Sequence, residues 1–330
     1  TKDNHSHIPF DGLTCGFDDM PENQEAMEAM NAEKATEENG TAGTRTAGEL
    51  VDLRTYRFAM GCTGEWGDNF SSVADVQATM VTAVNRLNEI FEIEIAIRLL
   101  LIDENDQLIF LDEDTDPYGA FPFLDVNTSI GGDIIGVSTA IFNDIVGFDT
   151  YDFGHVINRS CNVGGVAFLS AVCGNLKAGG VTCTNQTGAS FINVVAGTTA
   201  HELGHSLGAT HTWNRCGAVD NPNITSATAY EPGDGNTIMS YNGLCGNPNS
   251  TTGGMDYYHV SSLEQMRSFT FFGGGSNCAT TTTTGNHYPD MTLPYQDGFY
   301  IPISTPFELT AEVTDEDNDN LTFTWEQFNL

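Results

Sequence analysis

One run of residues carries chemistry that can be read directly: His201-Glu202-Leu203-Gly204-His205-Ser206-Leu207-Gly208-Ala209-Thr210-His211. His201 and His205 stand four residues apart. On a helix that is one turn, so both imidazoles leave the same face and can hold one cation. Glu202 follows the first histidine and projects toward the water of such a site without having to ligate the ion. Gly208 lets the chain leave the helix through a left-handed turn, which brings His211 round as the third ligand. Three neutral imidazoles form a zinc donor set whose fourth position is open to water, and zinc lowers the pKa of that water toward ~7. The expected chemistry is metal-assisted hydrolysis, with Glu202 taking a proton from the attacking water and passing it to the leaving group.

The helix that must present these groups is predicted over 193–207, ended by Gly208. Upstream, Leu53 to Met60 reads as a strand. Ser72 to Glu89 carries Val73, Val76, Met80, Val84 and Leu87 at helical spacing. Ile93 to Ile102 and Leu108 to Leu111 read as strands, and Ile130 to Val146 as a helix. Gly154 to Asn158 and Val166 to Val172 read as short strands. Helices alternating with strands point to an α/β domain. Thr280 to Thr284 reads as a low-complexity spacer. Phe299 to Ile303, Phe307 to Val313 and Leu321 to Phe328 read as three further strands, the start of an immunoglobulin-like β-sandwich. The expected organisation is a pro-segment or arm over 1–48, a catalytic domain over 49–278, a linker over 279–294 and a partial β domain over 295–330.

Composition narrows the setting. The chain has 330 residues, with 45 Asp and Glu against 11 Lys and Arg, for a net charge of −34. Such a chain repels phosphate backbones and anionic lipid surfaces, which argues against nucleic-acid binding and membrane adhesion. No apolar run is long enough to insert in a bilayer. Thr1 reads as the start of a processed product. Eight cysteines without a CxxC pair point to secretion and disulfides rather than a thiolate metal site. Two pairings fit their positions: Cys216 with Cys245, and Cys173 with Cys278.

The HExxHxxGxxH pattern resembles that of the metzincin metalloendopeptidases. Downstream, Thr237-Ile238-Met239-Ser240-Tyr241 resembles their Met-turn. The segment from Arg54 to Cys278 is similar to the bacterial reprolysin-like branch. The phrases that carry this are Arg54-Thr55-Tyr56-Arg57, Tyr151-Asp152-Phe153-Gly154-His155-Val156 and Ala229-Tyr230-Glu231-Pro232. The resemblance implies a twisted five-stranded mixed sheet, an active-site helix, a horizontal substrate cleft and zinc-dependent cleavage of peptide bonds. It implies support beneath the zinc ligands from Met239. For Tyr241 two roles stay open: a fifth zinc ligand that swings to stabilise the oxyanion, or a wall of the pocket. The chain departs from the animal members at Thr212, where they usually carry Asp after the third histidine.

An extended polypeptide substrate is expected to pair with an edge strand formed by Val166, Ala167, Phe168, Leu169 and Ser170. The side-chain pocket is expected from Asn242 to Asp256, with Gly243, Leu244 and Gly246 near its mouth. Leu13-Thr14-Cys15-Gly16-Phe17 looks like a cysteine switch, in which the pro-segment inhibits its own enzyme and the Cys15 thiolate occupies the open zinc position. The alternative is a structural disulfide, for instance with Cys62. If Cys15 is a switch, one more cysteine must be unpaired. The oxygen-rich turn 315–320 reads first as an ordinary solvated acidic turn, with a calcium site as the alternative reading there and near Asp103 to Asp106 and Asp112 to Asp116. His5 and His7 read as tail residues, and His155 and His259 as hydrogen-bonded structural histidines. The function read from the sequence is a secreted bacterial zinc endopeptidase, with a cysteine-switch zymogen as the form that the Cys15 reading implies. The competing reading is a catalytically silent extracellular adhesion protein on the same scaffold.

Overall fold

In the computed structural model, residues 23–24, 27, 49–119, 134–159, 161, 163–216, 224–245, 249, 254–294 and 300–328 are described. Cys15, Gly246, His5 and His7 lie outside them.

Strand β1, Leu50–Cys62, is the organising element. Its second half is apolar on both faces because both are covered. Tyr56, Phe58, Met60 and Cys62 enter one core cluster, while Ala59 enters the other, as the two-residue period of a strand requires. β1 pairs in parallel with β2, Ile97–Leu101, and with β3, Phe153–Asn158. β3 pairs in parallel with β5, Gly180–Cys183, and β5 pairs antiparallel with β4, Gly165–Ala167. The order is β2-β1-β3-β5-β4, which leaves β4 at an edge.

Helix α1, Val73–Ile95, covers one face, with Val76, Met80, Leu87 and Phe91 buried. Ser72 caps it by accepting from the Asp75 N–H, a contact of the kind worth about 1 kcal/mol. Helix α2, Ile134–Ile145, covers the other face through Ile134, Ile135 and Phe142. Next comes α3, Gly188–Val194, then a π-helical stretch, Val195–Thr199, and then α4, Ala200–Ser206. Helix α5, Val260–Arg267, packs its Met266 into the same core as α1. No helix among the described residues is long and apolar enough to cross a membrane.

Several sequence expectations are corrected. The helix expected to end at Glu89 runs to Ile95, which consumes the first part of the expected strand 93–102. Ile90, Phe91 and Ile95 continue the buried face of α1, and Ala96 then turns left-handed at φ 55° to release β2. Residues 105–108 form a 3-10 turn instead of the expected strand, and Ile109 makes only an isolated bridge to Cys62. The strand expected over 166–172 stops at Ala167. Beyond it the Ser170 and Ala171 N–H groups donate to the His205 and Ser206 carbonyls at the end of α4.

The sheet has six strands rather than five. The threonine run expected as a spacer forms β6, Thr280–His287, antiparallel to the first half of β1. A run of β-branched residues pairs readily along an exposed strand. The three strands expected after residue 299 do not form among the described residues. That region contributes β8, Glu312–Thr314, which pairs only with β7, Asp290–Thr292. Tyr300, Ile303, Phe307 and Trp325 are exposed there, so the described residues build no sandwich core. The fold is a mixed α/β domain with a two-stranded appendage.

Three disulfides join Cys161 to Cys183, Cys173 to Cys278 and Cys216 to Cys245. The last two are the pairings that fit the sequence. Cys62 is a free, buried thiol, so a Cys15–Cys62 bridge is not formed.

Candidate metal centre

Helix α4 places His201 and His205 one turn apart, and both are buried. Gly208, at φ +105°, turns the chain back. The turn does two things. It delivers His211, and it aims the Ala209 carbonyl at His205. His205 Nδ1 lies 2.8 Å from that oxygen, and His201 Nδ1 lies 2.7 Å from the Ile238 carbonyl. A carbonyl only accepts, so each Nδ1 carries the proton and each Nε2 presents a lone pair. The Nε2 atoms of His201 and His211 come within 3.2 Å of each other. Ligand atoms of all three histidines lie within 4.8 Å of one another. Burial pushes the His201 imidazole down to about 3, helped by the neighbouring His211, and lowers that of His205 as well. Both effects keep the rings neutral, which is the ligating form. Three convergent, buried imidazoles, two of them with their tautomers fixed by backbone carbonyls, fit zinc.

Glu202 is buried beside the triad. A Cβ placed on Gly165 of β4 would stand 2.5 Å from Glu202 Oε1, so the edge strand can approach the carboxylate this closely only because residue 165 lacks a side chain. Met239 lies fully buried beneath the helix, and a Cβ on Gly204 would meet its sulfur at 2.5 Å. The thioether thus fills the space under the His201–His205 turn. Tyr241 is buried with its ring 4.9 Å from that of His211 and 4.8 Å from that of Trp213. It forms the wall next to the triad.

Glu231 is a residue that the sequence reading did not single out. Its Oε2 accepts from the hydroxyls of Thr212 and Thr237, and its Oε1 from the backbone N–H groups of Asn236 and Thr237. Its main chain also pairs with Thr212 and Asn214. One buried carboxylate therefore joins the segment carrying His211 to the segment carrying Met239. At Thr212, where the chain departs from the animal members, the threonine hydroxyl donates to the Glu231 carboxylate, nineteen positions further on. The signal in the sequence was the phrase Ala229–Pro232 taken together with Thr212.

Of the expected edge strand, Val166 and Ala167 lie in β4. Phe168 still donates its N–H to the Gly179 carbonyl, whereas Leu169 and Ser170 have left the ladder. His155 is a buried core residue, 2.8 Å through Nε2 from the Thr182 hydroxyl, and His259 caps α5. Asp116 organises a loop, accepting from the N–H groups of Gly64, Tyr118 and Gly119. The carboxylates of Asp315, Asp317 and Asp319 cluster within 4.8 Å. Asp315 accepts from the backbone of the other two, and Asp317 pairs with His287. Nothing in that turn beyond its acidity speaks for calcium.

Comparison with known proteins agrees with this geometry. Residues 52–269 match the sequence model of the Metallo-peptidase family M12B Reprolysin-like. The chain belongs to this reprolysin-like metallopeptidase family, whose members are metzincin-like. A search of curated proteins finds no match. Among solved structures, one entitled "Structure of a chaperone-substrate complex" is similar at 14% identity and a TM-score of 0.36, covering 66% of this chain and 34% of that one. This chain therefore spans about a third of that protein's length.

Proposed function

We infer that the protein is a secreted zinc endopeptidase that hydrolyses peptide bonds in extended polypeptides. The observation that carries the reading is the convergence of the three imidazoles beside a buried glutamate. His201, His205 and His211 hold the ion. Zinc, when bound, supplies Lewis acidity that polarises the scissile carbonyl and makes water a nucleophile at neutral pH. Glu202 accepts a proton from the attacking water and returns it to the leaving amine as the C–N bond breaks. Tyr241 lines the site and lies close enough to the triad to offer its hydroxyl to the developing oxyanion. Met239 supports the floor, which follows the Met-turn resemblance. The substrate lies extended along the free edge of β4.

Three disulfides fit an oxidising compartment. Residues 1–48 precede the family match and serve as an inhibitory segment, with the Cys15 thiol as the candidate for the open metal position. The unpaired Cys62 is the second odd cysteine that this arrangement requires. The proposed catalytic domain is 49–278, with the segments beyond it accessory.

The test is zinc content and peptidase activity on one sample, before and after removal of residues 1–48, alongside Glu202→Gln. Activity that appears on removal, with zinc present throughout, supports the latent peptidase. Zinc without activity in either form would shift the assignment to a silent binding protein.

A further inference from the structure

Two residues from the N-terminal segment lie against the edge beyond β4 and the apolar cluster around Tyr241. Asn23 and Met27 are both helical and four positions apart, so they leave one face together. Asn23 is 1% exposed. Its Nδ2 donates to the Ala167 carbonyl at 2.8 Å, and its Oδ1 accepts from the Leu169 N–H at 2.7 Å. Those two groups are not arbitrary. Phe168, between them, directs its N–H inward to Gly179. By strand alternation the groups on either side point away from the sheet. They are the pair that any extended peptide adding to this edge must use. Met27 packs against the buried cluster formed by Leu169, Trp213, Tyr241 and the Cys216–Cys245 disulfide, with its sulfur 3.9 Å from the Thr225 hydroxyl. This cluster adjoins the triad through Tyr241.

We propose that Asn23 and Met27 occupy the substrate's own binding positions. The Asn23 carboxamide stands in for a substrate peptide group on the edge strand, and Met27 fills a pocket that takes an unbranched apolar substrate side chain. The inference rests on the peptidase reading and extends it in two ways. Latency has a component that does not pass through Cys15 or the metal. The pocket beside Tyr241 selects for methionine-like side chains in the substrate: the cluster is apolar, and a flexible thioether adapts to it. An acidic side chain there would have no partner to offset its desolvation.

The experiment separates occupancy from catalysis. The full-length, zinc-loaded chain carrying Glu202→Gln is titrated by calorimetry with a ten-residue synthetic peptide of alanine and threonine with one central methionine. The titration is repeated after adding Asn23→Ala or Met27→Asp. Each added change is expected to tighten peptide binding about tenfold, the effect of removing a competitor's two buried hydrogen bonds or its apolar anchor. Replacing the peptide's methionine by glutamate should abolish the gain. Equal affinity in all three proteins overturns the occupancy, and equal affinity for the methionine and glutamate peptides overturns the pocket. Tighter binding in the variants, combined with no cleavage of the peptide by the zinc-loaded chain that has Glu202 restored and residues 1–48 removed, would uphold the occupancy and count against the peptidase reading. The two failures are therefore distinguishable.

Discussion

The floor and the rim of the cleft are built on opposite principles. On the floor, the fixed groups are set by bonds within the domain. His201 is set by the Ile238 carbonyl, His205 by Ala209, and the segments carrying His211 and Met239 by the Glu231 carboxylate. On the rim, β4 offers only three residues of ladder. Its next outward N–H, that of Leu169, is satisfied by a side chain from outside the sheet. The floor is organised for one geometry before anything binds, as electrostatic catalysis requires. The rim is an unfinished ladder whose remaining bonds belong to whatever occupies the cleft. On the proposed reading, chemistry falls to the region tied by bonds within the domain and recognition to the unfinished edge.

The comparison can be tested by removing floor and rim contacts in turn. Glu202→Gln should have the largest effect, a loss of peptidase activity of about a thousandfold with zinc retained, measured by turnover and metal content on one preparation. Next comes Glu231→Ala, which removes the tie beneath the floor. Zinc affinity should fall about 10–100-fold, read by competition with a chromophoric chelator. An unchanged affinity would mean that the floor does not depend on this carboxylate.

Gly165→Ala probes the point where rim meets floor. The new methyl must push the end of the Glu202 side chain aside. We expect kcat to drop about tenfold while zinc affinity holds, and a parallel loss of metal would show that the two regions are not separable. The smallest effect concerns the sheet behind both. Burial pushes the His155 imidazole down to about 3. The unfolded chain, with its ordinary pKa near ~6.5, binds the extra proton between those values. The stability this residue provides is therefore complete above about 6.5 and is lost as pH falls toward 3. His155→Gln should flatten that acid slope by about one proton, ~1.4 kcal/mol per pH unit, in urea unfolding followed across the window.

What the sequence revealed follows the same division. The triad, Glu202 and Gly208 were legible because helical spacing and a glycine turn fix them within one short run, whereas Met239 came only through the Met-turn resemblance. The phrases that resemble the family proved structural. Asp152 accepts from the Arg57 backbone and pairs with its guanidinium at 2.6 Å, locking β1 to β3 at the level of the core. The role of Glu231 was hidden because four separate donors converge on it only after folding. The end of α1 was misread because Ile93, Ile95 and Ile97 look like a strand locally, whereas the helical face through Phe91 decides the matter. The short β4 was overextended because no local signal shows that Ser170 and Ala171 serve the end of another helix. Asn23 and Met27 lie in a polar, acidic stretch whose Glu, Ala and Met content suits a helix, but composition does not show which of its residues meet the edge beyond β4.

Strand β6 has a mechanical consequence. Leu50 faces His287 across the ladder, and the Tyr288 N–H reaches the Glu49 carbonyl. The two ends of the family-like domain therefore leave it side by side. A pull between the segments flanking residues 49 and 288 loads this antiparallel pair in the peeling direction, one rung at a time, starting from Leu50 and His287. Tension from neighbouring parts of the chain would be spent opening this threonine-rich zip before it reached Thr55, and the strands that hold the metal-binding helix would stay unstrained until then.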